Sequence, residues 1–231
     1  MTSAGPLRAA VLGFPVSHSL SPALHNHWLA AHGIDGAYGA MAVPPDALKS
    51  ALTMLRDRGY AGCNLTMPHK EAALPLMDDH DESCLMSGAI NTVVIRDGRF
   101  IGYNSDGFGF VESLASQAPQ WSGDRVVILG TGGAARGIIA SLRAKGARHF
   151  VLVNRTRDKA ERVVRQFSLP STDVVDWADR DAALRDASLV VNCTSLGMDG
   201  EPSLDIALDA LPDTAVVADI VYRPQLTPLL Q

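Results

Sequence analysis

The fold class is set by one stretch, VVILGTGGAARG, at residues 126–137. Four apolar residues typical of a buried parallel strand lead directly into a glycine-rich turn. Gly130, Gly132 and Ala135 match the G-x-G-x-x-G/A fingerprint, which binds dinucleotides where it follows a strand and opens a helix. The alternative is a glycine-rich turn that only packs a helix against a sheet.

This turn and the end of the next strand form the candidate cofactor site. Gly130 permits a tight turn, and Gly132 lets the backbone approach a pyrophosphate at the start of the following helix. The next strand ends without the acidic residue that binds the ribose 2′-hydroxyl of NAD, and Arg155 suits a 2′-phosphate. We therefore predict NADP, although Arg155 considered by itself also fits a solvated loop residue. The candidates are Gly130, Thr131, Gly132, Gly133, Ala134, Asn154, Arg155, Thr156 and Lys159.

Short apolar runs alternate with helical patterns along the whole chain, which predicts an α/β fold with parallel strands joined by crossover helices. Strands are predicted at residues 8–13, 36–43, 60–65, 89–95, 99–103, 125–129, 149–153, 189–192 and 215–219. Helices are predicted from Ser21 to Gly33, at 46–58, from Pro68, and at 108–118, 134–145 and 157–167. The first helix has Leu24, Trp28 and Leu29 on one face.

The 231 residues are enough for two domains. After the polar connection near Pro119, predicted strands and helices alternate more simply. We place the domain boundary near Asp106. The prediction is an N-terminal α/β substrate domain, residues 1–105, followed by a Rossmann-type doubly wound domain for NADP, residues 106–231.

The charge pattern argues against a nucleic-acid partner. The net charge is −5, from 25 acidic and 20 basic residues, and no block of like charge gathers on a predicted face. No run approaches the roughly 20 apolar residues that a membrane span needs. We expect a cytoplasmic protein with a small-molecule substrate, and a homodimer is the assembly we consider.

Neither cysteine nor histidine spacing predicts a metal site. Cys63, Cys84 and Cys193 are odd in number and contain no CxxC pair, and the seven histidines lack the HExxH pattern. We expect the cysteines to be reduced thiols that pack as small hydrophobic residues.

Polar residues gather at the predicted strand ends of the first half, where ligands bind in open α/β sheets. Together with the segments of the second half, they resemble the shikimate dehydrogenase family over nearly the whole chain. In chain order the matching segments are GFPVSHSLSPALHN at 13–26, GCNLTMPHK at 62–70, GAINT at 88–92, GYNSDG at 102–107, GTGGAARG at 130–137, NRT at 154–156, NCTSLGM at 192–198 and DIVYRP at 219–224.

The resemblance implies that Lys70 and Asp106 are the catalytic pair. Lys70 lies in the first turn after Pro68, where the positive end of a helix disfavours an ammonium, so a merely solvated lysine would be better placed elsewhere. From position alone, Asp106 would be an N-cap. Such a pair titrates as a unit, so the proton donor is not assigned to one residue. The family usually has threonine where this chain has Ser105, which keeps the hydroxyl.

The resemblance also implies a substrate site made of neutral donors. Ser19 and Ser21 would bind the substrate carboxylate, and Thr66, Asn91 and Tyr222 would bind the carboxylate or ring hydroxyls. Each has a structural alternative: Ser21 caps its helix, Thr66 ends its strand, and Tyr222 packs. For His18, His25 and His69 we favour structural roles.

Three further residues are implied at the nicotinamide, namely Thr194, Met198 and Ile220. All three follow predicted strands of the second half. Their alternative is a place in the core, and this alternative is strongest for Ile220.

The implied reaction is the reversible, NADP-dependent reduction of 3-dehydroshikimate to shikimate in aromatic amino-acid biosynthesis, the chorismate pathway. One rival is a quinate or quinate/shikimate dehydrogenase, and another is a catalytically impaired NADP-binding regulatory protein. Members of the family usually continue beyond the position of Gln231 with helices that return to the first domain. For the chain as given we therefore expect reduced substrate affinity and stability.

Overall fold

The structure is a computed structural model that describes residues 5–169 and 171–231. The chain divides into two compact units, one ending at Ser105 and the other running from Asp106 to Gln231. Each unit contains its own sheet, six-stranded in the first and five-stranded in the second. The prediction of an α/β fold is confirmed.

Within its described residues, 5–105, the first unit contains six strands and four α-helices. The strands are β1 (Leu7–Gly13), β2 (Gly36–Ala42), β3 (Gly62–Leu65), β4 (Asp79–His80), β5 (Thr92–Arg96) and β6 (Arg99–Tyr103). The helices are α1 (Ser21–Ala31), α2 (Leu48–Asp57), α3 (His69–Ala72) and α4 (Glu82–Ser87). Short 3-10 turns cover Pro45–Ala47 and Leu74–Leu76.

The first sheet is mixed, with the strand order β2-β1-β3-β5-β6-β4. β1 is parallel to β2 and β3, whereas β5 is antiparallel to β3 and β6. Asp97 and Gly98 join β5 to β6 with φ values of 52° and 73°, and a type I′ turn requires positive φ at both of these positions. Because β5 runs the other way, the residues before it lie at the same edge as the residues after β1, β3 and β6.

The two longer helices of this unit pack differently. α2 buries Leu48, Leu52 and Leu55, which are spaced to lie on one face. α1 buries no residue fully, and its Leu24 and Trp28 are each 47% exposed, so the predicted apolar face is wrong for these two. The helix is held instead by Asn26, whose side chain pairs with the backbone N–H and carbonyl of Tyr38, each at 2.9 Å.

The second unit alternates helices and strands. The helices are α5 (Asp106–Gln117), α6 (Gly133–Ala144), α7 (Arg157–Phe167) and α8 (Arg180–Ala183). The strands are β7 (Val126–Leu129), β8 (Phe150–Asn154), β9 (Thr172–Asp176), β10 (Leu189–Asn192) and β11 (Val216–Asp219), and a 3-10 turn covers Trp177–Asp179.

The second sheet is fully parallel, with the order β11-β10-β7-β8-β9. Every residue of β7 and β10 is buried, which explains their continuous apolar runs. One sheet face packs against α5, α6 and α7, and the other against a cluster that includes Leu184 and Leu204. From β7 the chain continues to β8 and β9 on one side, and then crosses to β10 and β11 on the other side. The topological switch point, where the strand order reverses, therefore lies between β7 and β10.

No helix in the two described ranges is long and apolar enough to span a membrane.

Candidate functional site

Backbone hydrogen bonds join three of the candidate substrate and catalytic residues at one edge of the first sheet. Thr66 donates its N–H to Leu12 at 2.9 Å, which ties the end of β3 to the end of β1. Leu65 donates to the carbonyl of Asn91 at 2.8 Å, and the carbonyl of Lys70 accepts from Ile90 at 2.7 Å. Backbone hydrogen bonds therefore hold the segments that carry Thr66, Lys70 and Asn91 next to one another.

Gly13 permits this close approach of β1 and β3. A Cβ atom at Gly13 would lie 2.4 Å from Cγ2 of Thr66 and 3.2 Å from the carbonyl of Met67. Phe14 donates its N–H to that same carbonyl at 3.0 Å. Glycine at the end of β1 is therefore needed for the position of Thr66.

Lys70 lies on α3, a helix of only four residues. A helix this short has little macrodipole, so the unfavourable electrostatic position expected for the Lys70 ammonium is not present. The helix is held by its first residue, His69, which is 1% exposed and donates from Nε2 to the carbonyl of Val43 at 2.8 Å. This anchor next to Lys70 gives His69 the structural role that we favoured.

Asn91 forms a reciprocal pair with Ser105. Its Oδ1 accepts from the Ser105 N–H at 3.1 Å, and its Nδ2 donates to the Ser105 hydroxyl at 3.0 Å. Asn91 is only 8% exposed. The pair fixes the residue immediately before Asp106, a contact of Ser105 that sequence reasoning missed.

Two further residues, Tyr38 and Asn64, hold Asn91 through a chain of hydrogen bonds, and sequence reasoning missed both. Tyr38 donates its hydroxyl to Oδ1 of Asn64 at 2.6 Å, and burial raises the pKa of this tyrosine. Asn64 then donates from Nδ2 to the Asn91 carbonyl at 3.2 Å and to the Thr92 hydroxyl at 3.0 Å. The only sequence signal for Asn64 is a polar residue inside an apolar strand.

Ser21 does not have the capping role that its position in the sequence suggests. The N-cap position of α1 is Leu20, so a capping role for Ser21 is wrong. Ser21 is the first helical residue, and its N–H donates to the Ser19 hydroxyl at 3.3 Å. The helix starts one residue earlier than the capping pattern suggests because Pro22 takes the second helical position instead of the first.

Asp106 is the first residue of α5, where an acidic side chain is favoured by the helix macrodipole. Its pairing with Lys70 stays a prediction.

The glycine turn after β7 has the geometry of a dinucleotide cradle. Gly130 has a φ of +88°, and a Cβ there would lie 2.8 Å from Cγ2 of Thr194. Gly132 is the N-cap residue of α6, and no atom lies within 4 Å of the position that a Cβ would take there. Thr131 is 5% exposed, and its hydroxyl has no hydrogen-bond partner among the residues described. Gly133 and Ala134 open the twelve-residue α6.

The candidate 2′-phosphate residues follow β8. Asn154 ends that strand and donates to the carbonyl of Thr156 at 2.8 Å, which shapes the turn. Arg155, Thr156 and Lys159 are exposed. The neighbouring Arg157 instead contacts Glu161 at 3.1 Å and Asp176 at 3.3 Å.

The remaining candidates follow β10 and β11. Thr194 donates its hydroxyl to Oδ1 of Asn192 at 2.7 Å, which uses its single hydroxyl proton. Ile220 is partly buried against the core, as its structural alternative proposed. Tyr222 is 55% exposed, which does not fit a packing role, and Met198 is partly buried.

The three cysteines are free thiols. Burial raises the pKa of Cys63 and of Cys84 to about 12, and it also raises the pKa of Cys193. Among residues 5–169 and 171–231, no three His, Cys, Asp or Glu side chains group as metal ligands would.

Comparisons with known proteins agree with this geometry. Residues 11–93 match the family described as the shikimate dehydrogenase substrate-binding domain, and residues 112–198 match shikimate/quinate 5-dehydrogenase. An NADP(+) shikimate dehydrogenase of Paramagnetospirillum magneticum is 48% identical over 226 residues, covering 96% of this chain and 81% of the relative. The chain belongs to the shikimate dehydrogenase family. The resemblance predicted from the ordered motifs is thereby confirmed.

Solved structures place the fold in the same family. The shikimate 5-dehydrogenase of Thermus thermophilus, in complex with NADP(H) and shikimate, is 37% identical with a TM-score of 0.85, covering 97% of this chain and 82% of that one. A quinate dehydrogenase of Corynebacterium glutamicum in complex with NAD has a TM-score of 0.88 but only 27% identity, over 98% of this chain and 84% of that one. The fold of this chain is thus shared by dehydrogenases of both specificities.

Proposed function

We propose that this protein is an oxidoreductase that catalyses the reversible, NADP-dependent reduction of 3-dehydroshikimate to shikimate, a step of aromatic amino-acid biosynthesis. The observation that carries the proposal is the 48% identity to an NADP(+) shikimate dehydrogenase over 96% of the chain. The Thermus thermophilus complex with both ligands supports it at 37% identity.

The residues after β7 fit a dinucleotide. Gly132 leaves open space at the N-terminus of α6, where backbone N–H groups and the helix dipole favour a pyrophosphate. We assign the pyrophosphate to the turn from Gly130 to Ala134, and the 2′-phosphate to Arg155 with Thr156 and Lys159. Bound NADPH supplies the hydride that reduces the substrate ketone.

The substrate is assigned to the edge of the first sheet. Ser19 and Ser21 follow β1 and would bind the carboxylate, while Thr66, Asn91 and Tyr222 would bind the carboxylate or ring hydroxyls. The connected hydrogen bonds of Thr66 and Asn91 support this assignment, because they hold both residues in fixed positions. Fixed neutral donors suit a small polyhydroxylated acid.

Lys70 and Asp106 are the proposed catalytic pair. As the ketone accepts hydride, negative charge develops on its oxygen, and a positioned acid lowers the barrier by transferring a proton to that oxygen. In the reverse direction the same pair removes the proton from the hydroxyl.

The first experiment follows nicotinamide absorbance with purified protein, shikimate or quinate, and NADP or NAD. We expect turnover with shikimate and NADP. Turnover mainly with quinate and NAD would favour a quinate dehydrogenase, and NADPH binding without turnover would favour a regulatory protein.

Replacing the proposed catalytic lysine tests the mechanism. Lys70→Ala should lower kcat by about 10²–10⁴-fold while NADPH still binds, because the proton can no longer be managed at the substrate oxygen. Lys49→Ala, at an exposed position of α2, is the matched control and should retain full activity. Equal rates for both variants would remove Lys70 from the mechanism.

The free thiols support a reducing compartment, and we propose a cytoplasmic location on that basis. The homodimer remains a prediction that light scattering of the purified protein would test. The net charge of −5 gives no support for binding nucleic acid.

A further inference from the structure

A fully buried asparagine ends β10. Asn192 is 0% exposed, and its side-chain amide uses all four of its hydrogen-bonding positions. Oδ1 accepts from the Thr194 N–H at 3.0 Å and from the Thr194 hydroxyl at 2.7 Å. Nδ2 donates to the Leu196 carbonyl at 3.2 Å and to Oδ1 of Asp219 at 3.0 Å.

The aspartate that ends β11 extends this network. Oδ1 of Asp219 also accepts from the Val221 N–H at 2.9 Å, and Oδ2 accepts from the hydroxyl of Thr227 at 2.8 Å. Thr227 is 0% exposed. The Asn192 carbonyl accepts from the Ile220 N–H at 3.1 Å. The network thus joins the loops after β10 and β11.

These polar groups lie beside strands whose other residues are apolar. Burying the Asn192 amide is unfavourable unless each of its positions is hydrogen-bonded, whereas its partner Asp219 is only partly buried. Apolar residues would fill the volume of the amide without this requirement. A satisfied buried network fixes one arrangement of the backbone around it. Here the backbone so fixed is that of the two loops at the strand ends.

The network controls the orientation of Thr194. With its hydroxyl directed to Asn192, the Thr194 methyl group Cγ2 faces Gly130, where a Cβ would approach it to 2.8 Å. The same asparagine holds the backbone of Ile220. The side chain of Asn192 therefore sets Thr194 beside the glycine turn. Its backbone carbonyl and its side-chain partner Asp219 hold the end of β11, where Asp219 accepts from the Val221 N–H next to Ile220.

We propose that Asn192 and Asp219 are positioning residues for the nicotinamide end of the cofactor site, which they serve by fixing Thr194 and Ile220. This rests on the proposed function, since it takes these two residues as the nicotinamide contacts. The network lies at the ends of β10 and β11, whereas the proposed 2′-phosphate residues follow β8. Disturbing the network should therefore weaken contacts with the nicotinamide end of the cofactor more than contacts with its 2′-phosphate end.

The main test is Asn192→Asp, which keeps the side-chain shape, removes both amide donors and puts a second carboxylate against Asp219. We measure NADPH binding by calorimetry, binding of adenosine 2′,5′-bisphosphate, kcat with shikimate, and melting temperature. We expect NADPH affinity and kcat each to fall at least tenfold, with bisphosphate affinity changed less than twofold. A lower melting temperature with unchanged NADPH affinity and kcat would overturn the proposal.

Milder variants keep the proposal testable if Asn192→Asp does not fold. Thr227→Val removes only the donor to Asp219 and should lower kcat and NADPH affinity three- to tenfold, again without weakening the bisphosphate. Asp219→Asn keeps a side chain of the same shape and lets the Thr227 hydroxyl accept instead of donate. It should lower kcat and NADPH affinity less than threefold, whereas Asp219→Ala should lower both tenfold. Equal losses for the last two variants would overturn the proposal.

Ser188→Ala is the matched control at the opposite end of the same strand. The Ser188 hydroxyl shares its single proton between the carbonyls of Ser122 at 2.8 Å and Arg125 at 3.0 Å, and it accepts from the Arg125 N–H at 3.0 Å. Its loss therefore also removes partly buried hydrogen bonds. We expect a lower melting temperature with kcat and NADPH affinity retained. A parallel loss of NADPH affinity in Ser188→Ala would show a general stability effect and overturn the proposal. If the parent chain binds NADPH without turnover, the proposed function fails, while the two binding measurements still test the network.

Discussion

Two arginines that lie two positions apart differ in what their side chains contact. Arg157 is held by Glu161 and Asp176, and these contacts raise its pKa. Arg155 is exposed in the turn that directly follows β8. The first is part of the α7 surface, and the second is the residue that we propose for the 2′-phosphate. Their difference provides a test of cofactor choice.

Arg155→Gln should raise the KM for NADP by about 10–100-fold, because a charge-assisted hydrogen bond to the 2′-phosphate contributes about 1.5–3 kcal/mol. The KM for NAD, which lacks this phosphate, should change little. Steady-state kinetics with both cofactors measure the effect. Arg157→Gln is the control, and a similar rise of the NADP KM in this variant would contradict the assignment.

For single residues, the sequence predicts best those whose role follows from a position at the end of a strand. Gly130 follows β7 directly, and its φ of +88° fits the tight turn that the motif predicts. The role of Arg155 stays a prediction. Asn64 and Tyr38 are different, because their hydrogen bond crosses from β3 over β1 to β2. The order of those strands cannot be read from residue patterns, so this contact could not be predicted.

Among the helices, α5 and α6 show how closely two elements can pack. A Cβ at Gly107 would lie 2.0 Å from the carbonyl of Gly137 and 2.2 Å from the hydroxyl of Ser141. The backbone of α5 therefore contacts that of α6 directly. Gly109, two residues along the same helix, has no atom within 4 Å of a Cβ position.

Gly107→Ala should destabilise the protein by about 1–3 kcal/mol, since backbone atoms must move to relieve the overlap. Gly109→Ala should be neutral or stabilising by up to about 1 kcal/mol, because alanine favours the helix. Urea unfolding of both variants measures the difference. Direct backbone contact between the two helices would be contradicted if Gly107→Ala were as stable as Gly109→Ala.

Strands with a continuous apolar run were predictable from the sequence, whereas a polar edge strand was not. β7 and β10 are buried along their length and were recognised from apolar runs. β9 is an edge strand with two aspartates in five residues, and its pattern is too polar to be recognised. Of the apolar face predicted for α1, Leu29 packs against the core but Leu24 and Trp28 are exposed, and the polar Asn26 contributes to the contact with β2.

For the molecule as a whole, the buried thiols predict a response to alkaline pH. The pKa of Cys63 and of Cys84 is raised by burial from 9.0 to about 12. Between these values the unfolded chain loses protons that the folded chain keeps, so unfolding becomes more favourable as the pH rises.

The free energy of unfolding should therefore fall from about pH 9 to about pH 12, with each thiol contributing at most about 1.4 kcal/mol per pH unit. Urea unfolding at a series of pH values measures this slope. The double variant Cys63→Ala, Cys84→Ala should show a smaller slope than the parent protein. If the double variant and the parent protein showed the same slope, groups other than these two thiols would cause the loss of stability at alkaline pH.

The division of the chain at Ser105 has a consequence for the order of synthesis. The first sheet is complete once β6 has been made, and the second begins only with β7, so neither ladder waits for a strand from the other. Domains generally fold as units, N-terminal first, while the ribosome is still adding residues. The half that carries Thr66, Lys70 and Asn91 can therefore acquire its shape while the half that carries the glycine turn is still being translated.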